Sequence, residues 1–330
     1  MGILSAKRTC LVTGVAGFVG SHLAERLLSL GHPVVGVDDF SSGSPRNLEP
    51  LKDCRGFHFH ERSITERGLI TEMARRHANL CICFHLAAIV SVPYSVERPE
   101  ETMEVNFHAT GRLLEGAVEE GLEAFVFAGS AAEYGNDQRL PLLESYAGPE
   151  TRHASPYGRA KFLASEAVAA SPIGVSLRCF NIFGPRQDPS SPYSGVISKF
   201  MDMALRGSPL TVFGDGLQTR DFIYVSDIVE AYLVAAGLSQ DRDRLPHGVY
   251  NVGTGRSTSI LELAQTILEV AGQQREMVFQ GERPGDIRHS VASIDALKQA
   301  GGWEPKVSLR EGLGRTLQWM REEMCGSSPE

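Results

Sequence analysis

The sequence predicts an α/β protein: a doubly wound parallel sheet with a smaller, mostly C-terminal α/β cap. Three observations carry the expectation. Short apolar runs alternate with amphipathic stretches through residues 1–180. A glycine triplet, Gly14, Gly17 and Gly20, separates the first apolar run from the first amphipathic stretch. Beyond Cys179 the alternation yields to a segment rich in Pro, Ser and Gly. Continuous apolar strands between amphipathic helices imply a parallel sheet covered on both faces, with right-handed crossovers.

The elements follow in order. Residues 9–13 form a short β-rich run. Residues 18–30 place Val19, Leu23, Leu27 and Leu30 at helical spacing, and Gly31 with Pro33 ends that helix. Further strands are expected at 34–37, 81–85, 124–127 and 174–179, with helices near 66–76, 102–120 and 157–170 between them. Residues 184–195 read as a long irregular loop, a kind of segment that often serves function. A helix at 196–206 and a strand at 210–213 come next. A strand–helix pair at 222–225 and 227–238 follows, with Asp227 placed to cap the helix. Helices at 258–271 and 309–323 complete the chain, and no internal repeat or low-complexity segment interrupts it.

Composition narrows the function classes. Apolar residues make up 42% of the 330 and charged residues 22%, which excludes long disorder, collagen-like repeats and a disulfide mini-scaffold. A net charge of -8 argues against a nucleic-acid or anionic-membrane surface, though not against one local anion site. No apolar run approaches the ~20 residues of a membrane span. Residues 1–8 are too short and polar for a signal peptide. The six cysteines form no CxxC pair. Cys81 and Cys83 share one face of a strand and read as buried apolar residues, not metal ligands. No metal is expected, and reduced cysteines fit the cytoplasm.

The glycine triplet sits between a strand and a helix, where glycine permits a tight turn and a close approach to a pyrophosphate. The helix start offers unpaired N–H groups to that anion. Asp38 ends the second strand, where a carboxylate can accept from a ribose diol and repel a 2′-phosphate. NAD is therefore expected over NADP.

Tyr157 and Lys161 stand at i and i+4, on one helical face. A lysine ammonium beside a phenol favours the phenolate, as does a cationic nicotinamide. Tyrosine titrates near ~10 on its own and needs such help to act as a base. Ser130 follows the strand at 124–127, at the carboxyl edge where open α/β sheets bind ligands. A hydroxyl there can orient a substrate alcohol and the tyrosine.

With these residues in place, the chain resembles an extended short-chain dehydrogenase/reductase of the nucleotide-sugar epimerase and dehydratase group. The matching stretches are 13–20, 37–43, 85–88, 130–135, 157–161, 181–184, 219–227, 250–255 and 283–289. The resemblance implies a Rossmann-type nucleotide layer and extends over nearly the whole chain. It implies NAD contacts from Gly14, Gly17, Phe18, Val19 and Gly20, from Asp38, Asp39, Ser42 and Gly43, and from Ser63 and Ile64. Leu86, Ala87, Ala88, Asn106, Tyr157 and Lys161 complete that set. Ser63 replaces the aspartate usual near the adenine. Catalysis is implied for Ser130, Tyr157 and Lys161. A UDP-sugar is implied against Val92, Ser130, Asn181, Tyr193, Val196, Lys199 and Phe200, and against Val212, Phe213, Arg220, Arg283, Asp286 and Ser290. Arg220 and Arg283 would grip the diphosphate, since a planar guanidinium suits bidentate phosphate contact.

The resemblance also implies a shared first step, oxidation of the sugar at C4. Dehydratases and decarboxylases of the group tend to carry an acid two residues ahead of the tyrosine at position 134, and a 3,5-epimerase a cysteine. Here that slot is Ala132. A methyl group moves no proton, which leaves 4-epimerisation of a UDP-hexose as the expected reaction. Glu133 is a departure, readable as an exposed carboxylate or as a displaced acid that would permit dehydration or decarboxylation. A non-enzymatic NAD sensor is the third reading, and it has no need of Ser130, Tyr157 and Lys161 together. A small residue at Ser290 implies that an N-acetyl arm is admitted, hence UDP-GlcNAc and UDP-GalNAc, with UDP-Glc and UDP-Gal also possible.

The nucleotide layer is expected at 1–180 with returns at about 220–254 and 306–323. The sugar-binding cap is expected at about 181–219 and 255–305. A homodimer is implied, built from Leu113, Leu114 and Ala117 on one helix and Leu163, Ala164 and Ala167 on another. Ordinary packing of these stripes onto the sheet is the alternative.

Overall fold

A computed structural model describes residues 7–187, 195–239, 243–282 and 287–326. Its frame is a seven-stranded, wholly parallel sheet. The strands are β1 (Thr9–Thr13), β2 (Val34–Asp38), β3 (Phe57–Glu61), β4 (Leu80–His85), β5 (Ala124–Ser130) and β6 (Gly174–Cys179). The seventh, Gly248–Val252, lies beyond β6, and the spatial order runs from it through β6, β5, β4, β1 and β2 to β3. The order reverses between β1 and β4, and such a switch point leaves a crevice at the carboxyl ends of the strands.

Every residue of β1, β2 and β6 is buried, as strands covered on both faces require. One face is covered by α1 (Phe18–Ser29), whose Leu23, Ala24 and Leu27 are buried. The other is covered by α2 (Leu69–Arg76) and by a long helical stretch. That stretch comprises α3 (Val92–Glu97), α4 (Pro99–Met103), a π-turn at Glu104–His108 and α5 (Ala109–Glu119). Helix α6 (Pro156–Ala170) shares that face through Ala164 and Val168.

The second half adds β7 (Asn181–Phe183), α7 (Val196–Leu205), β8 (Leu210–Phe213), β9 (Thr219–Arg220), β10 (Phe222–Tyr224) and α8 (Val225–Ala235). The seventh sheet strand is β11, followed by β12 (Thr258–Ser259), α9 (Ile260–Ala271), β13 (Met277–Gln280), α10 (Asp295–Gly301) and α11 (Leu309–Gly326). Three two-stranded pairs, β7–β10, β8–β13 and β9–β12, stand apart from the large sheet. A separate core joins Met201, Leu263, Ile267, Leu313 and Leu317.

Several expectations need correction. Strand β3 was not expected; its alternating Phe and His residues make a half-exposed edge, unlike the apolar runs of the inner strands. The helix expected at 102–120 contains the π-turn. Asp227 does not cap α8. It lies inside the first turn, and its Oδ2 accepts the N–H groups of Lys306 and Val307 at 3.0 and 2.9 Å. Residues 309–323 do not return to the nucleotide layer, because Leu313, Leu317 and Met320 pack into the cap core with α7 and α9. Conversely, Leu297 and Trp303 join the core beneath α8.

The stripe assigned to a dimer also packs otherwise. Leu113, Leu114, Ala117 and Ala164 are buried against the chain's own sheet, and only Leu163 and Ala167 stay half-buried. Among the described residues no helix is long and apolar enough to cross a membrane.

Candidate active site

The glycine turn occupies the switch point. Gly14 takes a φ of +70°, and a Cβ there would lie 2.7 Å from the Ala87 nitrogen. The Gly17 N–H donates to the Gly14 carbonyl at 3.0 Å, closing the turn. Helix α1 then begins without a side-chain cap at Gly17, so its first N–H groups face the turn. Phe18 and Val19 are half-buried where the two cores meet. A turn that excludes Cβ atoms and ends on an uncapped helix start fits a pyrophosphate.

Asp38 is tied to the same turn. Its Oδ2 accepts the Ala16 N–H and its Oδ1 the Phe40 N–H, both at 2.9 Å. Burial nonetheless pushes this carboxyl above its usual range. Gly43 approaches closely too, since a Cβ there would stand 2.9 Å from Asp38 Oδ1. Asp39 and Ser42 are exposed beside it. The Ser63 N–H donates to Glu66, while Ile64 is buried in the core.

The segment after β4 is fixed from beneath. The Leu86 and Ala87 N–H groups reach the Thr13 hydroxyl at 3.2 and 3.3 Å. His85 bridges Thr13 and Thr110 at 2.7 and 2.9 Å, and burial lowers it to about 3. Asn106, in the π-turn, clasps the Ile89 backbone through both ends of its amide at 2.8 Å. Ala87 and Ala88 are left half-exposed on the crevice side of this frame.

Ser130 is the last residue of β5, and its hydroxyl lies near enough to Tyr157 to draw the phenol pKa downward. Helix α6 starts where Ser155 accepts the Gly158 N–H at 3.2 Å, with Pro156 in the first turn. Lys161 is 3% exposed. Its Nζ donates to the Ala128 carbonyl at 2.9 Å and lies 4.6 Å from the Phe127 ring centroid. Burial pushes Tyr157 up to about 12, against the pull of the neighbouring Ser130 hydroxyl. Burial lowers Lys161 to about 8. The structure thus brings all three expected groups together, with a tyrosine that needs an additional cation nearby to lose its proton.

Glu133 is neither exposed nor a free acid. It is fully buried and ion-paired with Arg178, an arrangement the sequence spacing did not reveal. Nothing in a single strand position marks Arg178 as its partner, because 45 residues separate them.

On the sugar side, Asn181 is exposed at the edge of β7. Arg220 is half-buried and donates to the Thr219 carbonyl at 2.8 Å. The Ser290 N–H reaches the same carbonyl at 3.2 Å, so Arg220 and Ser290 share one edge. Asp221, missed in the sequence, locks that edge. Its carboxylate accepts from Thr254, Gly255 and Ala292. Val92, Val196, Lys199 and Phe213 are at least partly exposed. Phe200 and Val212, at 2% and 0% exposure, are spent in the cap core, so their side chains offer a ligand no surface. Tyr193, Arg283 and Asp286 lie outside the described residues. No cluster of potential metal ligands occurs among the described residues.

The model of the NAD dependent epimerase/dehydratase family matches residues 10–253. A UDP-glucose 4-epimerase of Mycolicibacterium smegmatis is 36% identical, over 95% of this chain and 98% of its own. A UDP-N-acetyl-alpha-D-glucosaminuronate decarboxylase of Bacillus cytotoxicus is 34% identical, over 96% and 98%. The solved UDP-N-acetylglucosamine 4-epimerase of Methanobrevibacter ruminantium, in complex with UDP-N-acetylmuramic acid, superposes with a TM-score of 0.87. It shares 33% identity, over 96% of this chain and 99% of that one.

Proposed function

The chain belongs to the NAD-dependent epimerase/dehydratase family, and from that premise we propose that it interconverts the C4 epimers of a UDP-hexose. NAD is its cofactor and supplies, when bound, a reversible hydride acceptor and a cationic ring. The glycine turn would hold the pyrophosphate, and Asp38 the adenosine ribose. The observation that carries the 4-epimerase reading is the fate of the acids near Ser130. The slot two residues ahead of Tyr134 is Ala132, and neighbouring Glu133 is locked into an ion pair. Neither offers the second proton donor that dehydration requires.

In this reading Tyr157 takes the C4 hydroxyl proton, relayed by Ser130, and later returns it. Lys161 supplies positive charge beside the phenolate. Arg220, with Arg283, anchors the diphosphate while the 4-keto sugar turns. Ser290, small and on the Arg220 edge, leaves room for an N-acetyl arm, so UDP-GlcNAc and UDP-GalNAc are the proposed pair, with UDP-Glc and UDP-Gal tolerated. The enzyme would act as a cytoplasmic homodimer, and sedimentation of the purified protein tests the assembly.

The deciding experiment incubates the protein with UDP-Glc, UDP-GlcNAc, UDP-GlcA and a dTDP-sugar and identifies products by NMR. A C4 epimer of equal mass is expected. Loss of water or carbon dioxide would replace the reading by a dehydratase or decarboxylase.

A further inference from the structure

Glu133 and Arg178 are 0% and 1% exposed. Glu133 Oε2 meets Arg178 Nε at 2.5 Å. Its other oxygen, Oε1, accepts the backbone N–H of Ser130 at 2.8 Å. The Ser130 hydroxyl in return accepts the Ala132 N–H at 3.2 Å, so the turn Ala131–Tyr134 is closed by a reciprocal cap. This turn presses on the start of α6, where a Cβ at Gly158 would lie 2.6 Å from the Ala132 carbonyl oxygen. One carboxylate therefore fixes Ser130 directly and, through the turn, the neighbour of Tyr157. Arg178 is held in its turn by the Glu144 carbonyl at 2.8 Å.

A buried ion pair contributes little net stability compared with an apolar pair of equal volume. Its placement one turn from Ser130 gives it another effect. We propose that Glu133 and Arg178 form a positioning pair: Glu133 holds the Ser130 backbone and sets the charge felt by Tyr157 and Lys161, while Arg178 keeps Glu133 ionised. This rests on the reading of Ser130, Tyr157 and Lys161 as the catalytic groups.

The surroundings favour Glu133 as the acting charge. Tyr157 and Lys161 are faced by Glu133 and Cys179, with Tyr232 near the former and His85 near the latter. Burial keeps Cys179 and Tyr232 protonated and His85 neutral. Arg178 is faced further by the Tyr134 ring and, at 3.6 Å, by the exposed Glu166. Burial also lowers His153 from its usual range, so it brings no charge at neutral pH. Burial drives Glu133 upward and Arg178 opposes it. A guanidinium does not give up its proton, so the carboxylate stays ionised beside it.

The sign follows. The Glu133 charge raises both Tyr157 and Lys161. Glu133→Gln removes it and leaves Arg178 unopposed, so both groups should titrate lower. Arg178→Met lets the buried Glu133 take up a proton and so removes both charges; it and the double variant should leave the two groups near their wild-type values. The test uses NAD-loaded protein and two readouts. One is kcat against pH. The other is phenolate absorbance of each protein minus its Tyr157→Phe counterpart, which needs no turnover. For Glu133→Gln both should move to lower pH by roughly one unit, a ~10-fold change in ionisation ratio. An unmoved profile in folded Glu133→Gln would overturn the proposal. Should a single variant fail to fold, Glu133→Gln/Arg178→Met carries the test: kcat must fall with the wild-type pH profile kept, and wild-type kcat would overturn it. The absorbance titration reads the pair whatever the product, so a wrong reaction assignment shows separately in the NMR assay.

Discussion

Gly20 lies so close to Gly14 that a Cβ on it would stand 2.1 Å from the Gly14 carbonyl oxygen. Both partners are backbone, so the clash cannot be relieved by a rotamer change. Gly20→Ala should therefore open the turn and cost the protein its NAD. The bound cofactor, read by absorbance after denaturation, should fall at least about tenfold, with Tm lowered. Gly314, in α11, has nothing within 4 Å of an added Cβ. Gly314→Ala should stabilise by about 0.5–1 kcal/mol through helix propensity. A Gly20→Ala protein that keeps its NAD would refute the close-packing argument.

Tyr157→Phe removes the proton acceptor while leaving the ring that fills the site. The expected loss in kcat is ~10²–10⁴-fold, the usual contribution of a positioned base. NAD content should not change, because the Phe ring preserves packing against Ser130 and β5. The pH profile should be bell-shaped. Turnover falls on the acid side as Tyr157 takes a proton, and on the alkaline side as Lys161, already lowered to about 8, gives up its own. The limbs of such a profile report macroscopic ionisations of the site and not either residue alone. A rate that rises steadily to pH 10 would contradict this assignment.

Much of this arrangement is legible in the sequence because it is local. The glycine spacing, the i and i+4 pair and the apolar strands are each set within a few residues. What escapes is set by distant neighbours. Strand β3 hides because Phe57 and Phe59 alternate with His58 and His60 on an edge, leaving no apolar run. The last helix gives no sign of which core it joins; its Leu313 and Leu317 stripe would suit either. Asp227 looks like a cap because its spacing to the helix is right, yet its carboxylate is engaged by Lys306 and Val307, far along the chain. Glu133 is the sharpest case: its chemistry is decided by Arg178 on the neighbouring strand.

Asp38 should set cofactor choice. Its carboxylate is already fixed by the Ala16 and Phe40 N–H groups, so it cannot turn away from a 2′-phosphate. NADP should bind at least about 100-fold more weakly than NAD, roughly 2.7 kcal/mol. Asp38→Asn removes the repelling charge and should narrow that gap by titration calorimetry. It should also lower Tm slightly, because an amide presents one acceptor where the carboxylate presents two. An unchanged NAD:NADP ratio would show that the discrimination lies elsewhere.

Ser290 is 6% exposed and shares the Thr219 edge with Arg220. Ser290→Tyr should therefore push bulk towards the proposed N-acetyl space. kcat/KM for UDP-GlcNAc should drop at least about tenfold more than for UDP-Glc, equivalent to roughly 1.4 kcal/mol of discrimination. Circular dichroism controls for overpacking, since a ring placed in a buried site can shift the backbone. Equal losses on the two substrates would remove Ser290 from the specificity argument.

His85 makes stability depend on pH in a definite direction. In the fold it is held neutral, with its two ring nitrogens at 2.7 and 2.9 Å from the Thr13 and Thr110 hydroxyls, and burial lowers it to about 3. In the unfolded chain it titrates at about 6.5. Below that value the unfolded chain binds a proton that the folded one refuses, so the stabilisation present above pH ~6.5 is lost as pH falls towards 3. Each such histidine contributes a slope of up to roughly 1.4 kcal/mol per pH unit. His22, lowered to about 4 by burial and by Arg186, acts with the same sign. His85→Gln should therefore be less stable at pH 7 but lose less on acidification, because glutamine takes up no proton in either state. Urea unfolding at pH 7.5, 6.5 and 5.5 measures both slopes. Parallel slopes for the two proteins would mean that His85 becomes protonated within the fold, and that the bridge between Thr13 and Thr110 does not hold it neutral.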